Sequence, residues 1–95
     1  MNYKLAFKAK ALKAFKKLNP VIKEQFKAKL IERLTSPHVS ASRLTSKLSG
    51  RYKIKLKNVG YRLVYDVNDE TITVLVLAIG KRERNEVYNL AEREI

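Results

Sequence analysis

Residues 52–67 read YKIKLKNVGYRLVYDV, and two strands folded back on one another account for the pattern. Tyr52, Ile54 and Leu56 alternate with Lys53, Lys55 and Lys57, and a period of two sends alternate side chains to opposite faces of a strand. Asn58-Val59-Gly60 supplies tight-turn residues, and Tyr61, Leu63, Tyr65 and Val67 then resume the alternation. Pairing Lys57 with Gly60 sets Lys55 opposite Arg62 and Ile54 opposite Leu63. Lys53, Lys55, Lys57 and Arg62 then share a polar face, while Tyr52, Ile54, Leu56, Tyr61, Leu63, Tyr65 and Val67 share a core face. A slip of one residue would drop Arg62 among the apolar set, so the pattern selects this register. The lysine row gathers like charge where water or a polyanion must accept it.

Outward from this hairpin, residues 71–79 form a third strand after the turn at Asn68-Asp69-Glu70. Ile72 to Ile79 is apolar on both faces, as in a central strand covered on each side. Toward the N-terminus, Tyr3, Leu5 and Phe7 alternate with polar or small residues, which predicts a short first strand with one buried face, placed on the free edge of the central strand. Ala9 to Leu18 reads as a helix with Leu12, Phe15 and Leu18 along one stripe. Asn19-Pro20 then opens a second helix to about Leu34, with Ile22, Phe26, Leu30 and Leu34 at i+4 intervals. The two form a hairpin whose apolar stripe covers the sheet. Thr35 to Gly50 is a polar loop pinned by Leu44 and Leu48. Val87, Leu90 and Ala91 mark a short C-terminal helix over part of the second face. The expected fold is α+β, in the order β-α-α-β-β-β-α. A helix hairpin packs on a mainly antiparallel four-stranded sheet with one open, basic face, in a single domain over residues 1–95.

Charge is the loudest signal in the composition: 21 Lys and Arg against 9 Asp and Glu, a net of +12. It is also uneven, because residues 1–60 hold 16 basic and 2 acidic side chains while residues 61–95 hold 5 and 7. Such asymmetry favours a nucleic acid or an acidic protein over a small neutral substrate. The chain has no cysteine, which removes disulfides and thiolate chemistry and suits a reducing cytoplasm. No apolar run approaches the ~18 residues of a membrane span, so no membrane partner is expected.

Several chemistries drop out. The three glycines are scattered, so there is no Gly-rich phosphate loop. There is no Cys/His cluster for zinc, and no metal or other cofactor is expected. A ribonuclease built on two histidines is excluded, since His38 is the only one, and in its polar loop it reads as a solvated side chain. What remains is the cationic face. RNA cleavage without a metal needs a base for the 2′-hydroxyl proton, cations for the extra charge on phosphorus, and an acid for the departing 5′-oxygen. Arginine suits the second task because its planar fork grips two oxygens and keeps its charge. Lysine transfers protons at neutral pH only if its pKa falls, and neighbouring cations push it that way. By itself the lysine row reads better as a charged edge strand that resists aggregation. Its coincidence with Arg62, Arg82 and Arg84 at neighbouring sheet ends favours a site. Tyr88 is either a base-stacking ring or a helix residue capping the core.

The order YKIKLKNVGYRLVYDV, apolar strand, then GKRERNEVY at 80–88 resembles the RelE toxins of bacterial toxin–antitoxin pairs, and the likeness covers essentially the whole chain, including the LNP break at 18–20. The resemblance implies a ribosome-dependent endoribonuclease that cuts mRNA in the ribosomal A site by metal-independent attack of the 2′-hydroxyl. By position it implies catalytic roles for Lys53, Lys55, Arg62, Arg82 and Tyr88, without deciding which residue is the base and which the acid. Lys57, Arg84 and the helix lysines Lys13, Lys16, Lys17, Lys23 and Lys27 would dock on ribosomal RNA. The implied partners are the 70S ribosome with its mRNA and 16S rRNA, and an acidic RelB-like antitoxin. Operator DNA would be bound only through the antitoxin complex, which represses its own operon. A ParE-like gyrase-inhibiting toxin of the same superfamily, or an RNA- or ribosome-binding module without chemistry, are the competing readings.

Overall fold

The computed structural model describes residues 2–95, apart from the side chain of Lys57. The elements are β1 (Lys4–Phe7), α1 (Ala9–Lys16), α2 (Pro20–Thr35), β2 (Tyr52–Leu56), β3 (Tyr61–Asn68), β4 (Thr73–Lys81) and α3 (Glu86–Glu92). They build one sheet in the order β1-β4-β3-β2. β1 runs parallel to β4, and the other pairs are antiparallel. The expected α+β order and the edge position of β1 both hold. No helix among the described residues is long and apolar enough to cross a membrane.

The β2–β3 register is the one the alternation selects: Ile54 pairs with Leu63, Lys55 with Arg62 and Leu56 with Tyr61. Gly60 closes the turn at φ 67°, a left-handed conformation that costs glycine little, and its N–H donates to the Leu56 carbonyl at 3.1 Å. β2 ends at Leu56 because Lys57 already belongs to a 3₁₀ turn over Lys57–Val59. At the next turn the side chain of Asn68 accepts from the N–H groups of Glu70 and Thr71, each at 3.0 Å. That loop runs longer than expected, through Ile72 at φ 52°, so β4 starts at Thr73.

Asn19 caps α2 by accepting from the Val21 N–H at 2.9 Å, with Pro20 in the first turn. Asn19→Ala should cost ~1 kcal/mol, read as a melting temperature lower by ~4–8 °C in a domain of this size. Phe26 and Leu30 are buried, as the i+4 spacing requires, and Ile22 and Leu34 pack at the margin. Two N-terminal expectations need correction. Leu12 is exposed, and α1 instead turns Ala11 and Phe15 inward, because an i+4 pair with one small member lets a short helix approach β4. β1 has no fully buried face: Tyr3 and Phe7 are half-buried and Leu5 is 40% exposed, since a parallel edge strand has the helix hairpin over only part of it.

Two apolar clusters sandwich the sheet. The larger joins Phe15, Phe26 and Leu30 to Tyr52, Ile54, Leu63, Tyr65, Val74, Val76 and Ile79. The smaller joins Val87 and Ala91 of α3 and Leu48 of the 36–51 loop to Val64, Leu77 and Ala78. β4 can serve both because it bulges opposite Val64 and Tyr65, which pair with Ala78 and Val76. The extra residue, Leu77, lets neighbouring side chains point to the second face. This second face is therefore less open than expected: α3 and Leu48 cover its middle, and the lysines of β2 stay at its rim.

Candidate active site

Three adjacent strands place Lys55, Arg62 and Gly80 in one row, through the pairs Lys55–Arg62 and Arg62–Gly80. Gly80 has no side chain, and a Cβ there would meet Val87 of α3 at 3.6 Å. Close packing of α3 on β4 therefore limits the space beside Arg62. Arg62 is only 8% exposed, which corrects its placement on an open face, and its Nη1 donates to the Tyr61 carbonyl at 3.1 Å. No carboxylate pairs with it among the described ion pairs. A guanidinium held this way has donors to spare for an incoming anion.

Arg82 joins the row from the end of β4. Its N–H donates to the Gly60 carbonyl at 2.9 Å, and its Nε lies 3.9 Å from where a Cβ on Gly60 would sit. Its side chain is thereby laid across the β2–β3 turn, two residues from Arg62, and stays exposed. Arg84 and Asn85 follow with φ of 54° and 56°. Two successive non-glycine residues in the left-handed region are uncommon, and such backbone clusters where function constrains it. The turn aims Arg84 outward and starts α3 so that Val87 enters the core and Tyr88 lies half-buried.

Lys53 and Tyr88 line one cavity of ≈ 330 Å³, along with Leu44, Leu48, Asn85, Asn89 and Glu92. Tyr88 packs against the Leu48–Val87 cluster, as the core-capping reading expects, and also lines this cavity. The Lys53 amine is held below the usual lysine range, first by desolvation and then by the charges of Lys55 and Arg62. Like-charge crowding is the cause expected from the register, and partial burial exceeds it.

The remaining candidates are not gathered at this row. Lys13 and Lys16 are exposed on α1, Lys17 just past its end and Lys27 on α2. Lys23 donates to the Lys16 carbonyl at 3.2 Å with its ammonium 6.0 Å from the Phe15 ring centre, and Lys27 pairs with Glu24 at 3.3 Å. These side chains decorate the helix layer over the opposite face. The α2 residue brought to the β2 lysines is one the pattern had not singled out: Lys29 lines a ≈ 590 Å³ cleft with Gln25, Glu32, Lys55 and Asn58. The spacing of Gln25, Lys29 and Glu32 on one side of α2 is the signal that could have found it. The role expected of the Lys57 side chain lies outside the described residues.

His38 is not simply solvated. Its Nδ1 lies 2.8 Å from the Tyr52 hydroxyl and its Nε2 2.9 Å from Asp69 Oδ1, which also accepts from the Tyr3 hydroxyl at 2.7 Å. The 36–51 loop is thus tied to the β3–β4 turn, away from the cationic row. Hydrogen bonds from His38 and then Tyr3 hold the Asp69 carboxyl below its ordinary range. A depressed carboxylate stabilises the fold above its unfolded pKa, and that contribution is lost as pH falls through the lower folded value. Asp69→Asn should therefore lose stability relative to the parent at neutral pH, with the difference closing in the acid limb of a thermal-melt series.

A family model described as the ParE toxin of type II toxin–antitoxin systems, parDE, matches residues 5–86. The Escherichia coli K12 protein named mRNA interferase toxin RelE is 48% identical over 95 residues, spanning 100% of this chain and 99% of that one. The mRNA interferase RelE of Shigella flexneri has the same identity and coverage. A solved structure of E. coli RelE, a double arginine-to-alanine variant in the free state, superposes with TM-score 0.90 at 46% identity, covering 100% of this chain and 99% of that one. RelE in the intact E. coli RelBE toxin–antitoxin complex superposes at 0.82 with 48% identity, over 86% of this chain and 99% of that one. Identity that runs from end to end, on a fold that matches along its full length, places the chain in a family: it belongs to the RelE toxins.

Proposed function

We propose that this protein is an mRNA interferase, an endoribonuclease that cuts mRNA in the A site of the ribosome and is held inactive by a RelB-like antitoxin. The observation that carries the reading is the cationic row Lys55–Arg62 with Arg82 laid across the adjacent turn, beside the Lys53–Tyr88 cavity. The full-length likeness to proteins named mRNA interferase favours RNA cleavage over gyrase poisoning.

In this mechanism the lowered pKa of Lys53 suits it to proton transfer at the attacking 2′-hydroxyl. The 2′-oxygen bonds to phosphorus, the P–O5′ bond breaks, and a 2′,3′-cyclic phosphate and a 5′-hydroxyl result. Arg62 and Arg82 stabilise the additional negative charge on phosphorus, with Lys55 beside them. The exposed Arg82 holds the phosphate in line as the 5′-oxygen departs and takes a proton from water. Tyr88 offers a ring on which a base stacks, worth ~1–3 kcal/mol. Lys57, Arg84 and the lysines of α1 and α2 supply docking contacts to 16S rRNA. The protein acts in the cytoplasm, and operator DNA is reached only through the antitoxin.

The antitoxin is expected to be acidic, because 16 basic side chains among the first 60 residues make an anionic partner favourable. The direct test presents the protein with ribosomes holding a defined A-site codon and maps the mRNA ends. Intact mRNA with wild-type protein would sink the nuclease reading.

A further inference from the structure

β2 is the last strand of the sheet, so backbone groups on its outer side have no strand to pair with. Other parts of the chain meet them in succession. The Leu44 N–H donates to the Arg51 carbonyl at 2.9 Å, and Arg43 forms an isolated antiparallel bridge with Tyr52. One residue further, Nη1 of Arg33 donates to the Lys53 carbonyl at 3.2 Å. The same nitrogen donates to the Tyr65 hydroxyl at 2.9 Å, and Nη2 donates to Ser42 Oγ at 3.0 Å. The guanidinium carbon lies 5.7 Å from the centre of the Tyr65 ring. One half-buried side chain therefore ties α2, the turn at Ser40–Ser42, β2 and β3 together at the backbone of Lys53.

A guanidinium carries five donors in a rigid fork and can hold three acceptors set in different directions. The ties have a clear geometric effect. Arg33, Ala41 and Ser42 line a cavity with Lys53, Ile54 and Lys55, so the wall on this side of Lys53 is the segment that Arg33 holds in place.

We infer that Arg33 is a positioning residue for RNA cleavage: it pins the Ser40–Ser42 turn to the outer edge of β2 and so keeps Lys53 fixed and partly shut off from water. The inference rests on the assignment of Lys53 to the cleavage site. Desolvation is the first cause of the lowered Lys53 pKa, so loosening this wall should return the amine toward its ordinary value. The charged and titratable groups around Lys53 are Lys55 on its own strand, Arg62 on β3, Tyr88 and Glu92 on α3, and Lys29 and Arg33 on α2.

Two measurements on the full chain test this. One is single-turnover cleavage of mRNA on programmed ribosomes as a function of pH. The other is an NMR titration of the Lys53 side chain in the free protein. Arg33→Met is expected to cleave at least ~10-fold more slowly at saturating ribosome, as misplacement of a reacting group does. The half-saturating ribosome concentration should be unchanged, and the Lys53 midpoint should move upward. Arg33→Lys keeps the charge but not the fork and should behave like Arg33→Met. Ser42→Ala removes only the tie to the turn and should shift both readouts in the same direction by less, so the idea stays testable if Arg33→Met folds poorly. An unmoved Lys53 midpoint in Arg33→Met, with or without a slower rate, overturns the inference. If the wild type does not cut ribosome-bound mRNA, the nuclease reading fails, while the titration still decides whether Arg33 governs the surroundings of Lys53.

Discussion

Arg82→Ala is expected to slow cleavage of ribosome-bound mRNA by ~10²–10³-fold, the usual loss when one donor to a developing anion is removed, with an unchanged melting temperature. The exposed Arg82 side chain crosses the β2–β3 turn without burying itself, and its backbone tie to Gly60 survives the substitution. Arg62 should behave differently, although the proposed mechanism gives it the same phosphate. It is 8% exposed, with Lys55 directly opposite and no carboxylate partner among the described ion pairs. A buried charge without a counter-ion costs stability, and a hydrophobic residue of similar length is often better tolerated. Arg62→Met should thus lose as much activity as Arg82→Ala while holding or raising the melting temperature by a few degrees, a trade of stability for function. Rate constants from programmed ribosomes and thermal melts of both variants decide the matter. Wild-type cleavage by either variant would remove that arginine from the site. A sharp fall in the melting temperature of Arg62→Met would show that its guanidinium is structural.

The largest effect on stability is expected at Phe26. It is fully buried where α2 crosses the sheet, in the cluster that includes Phe15, Leu30, Ile54 and Leu63. Truncation of a buried phenylalanine to alanine costs ~3–5 kcal/mol, from lost transfer energy and the cavity left behind. Small domains have only ~5–15 kcal/mol in total. Phe26→Ala should therefore lower the melting temperature by ~12–40 °C at the ~4–8 °C per kcal/mol of domains this size. Denaturant melts should show the midpoint falling with little change in slope. A change within 1 kcal/mol would mean that the helix hairpin does not need this contact to hold the sheet.

The parts of the fold legible from the sequence are those set by short-range rules. The β2–β3 register followed from alternation, because any slip would carry Arg62 into the core face. The start of α2 followed from Asn19 and Pro20, whose cap is a contact between neighbours. The bulge in β4 was not legible: a run apolar on both faces reads the same with or without Leu77 as an extra residue. Nor was the inward face of α1, where Leu12 outranks Ala11 in hydrophobicity but the space beside β4 admits the smaller side chain. His38 was misread for the same reason, since its partners Tyr52 and Asp69 are distant in sequence.

The candidate site divides along the same line. Local pattern was enough to set the row of cations, because a strand period of two and one turn of known length place Lys53, Lys55 and Arg62 on one face. Position at a neighbouring sheet end brought in Arg82, Tyr88 stayed open between base stacking and core capping, and family likeness implied a role for each. How wet each charge is depends on the packing of distant segments. The packing of α3 at Gly80 limits the space beside Arg62, the Lys53–Tyr88 cavity exists only once α3 docks, and Arg33 of α2 closes the outer edge at Lys53. Periodicity is a property of neighbouring residues and survives in the one-dimensional string. Desolvation depends on which distant segments come to lie over a group, and so the charges could be read from the sequence while their energies could not.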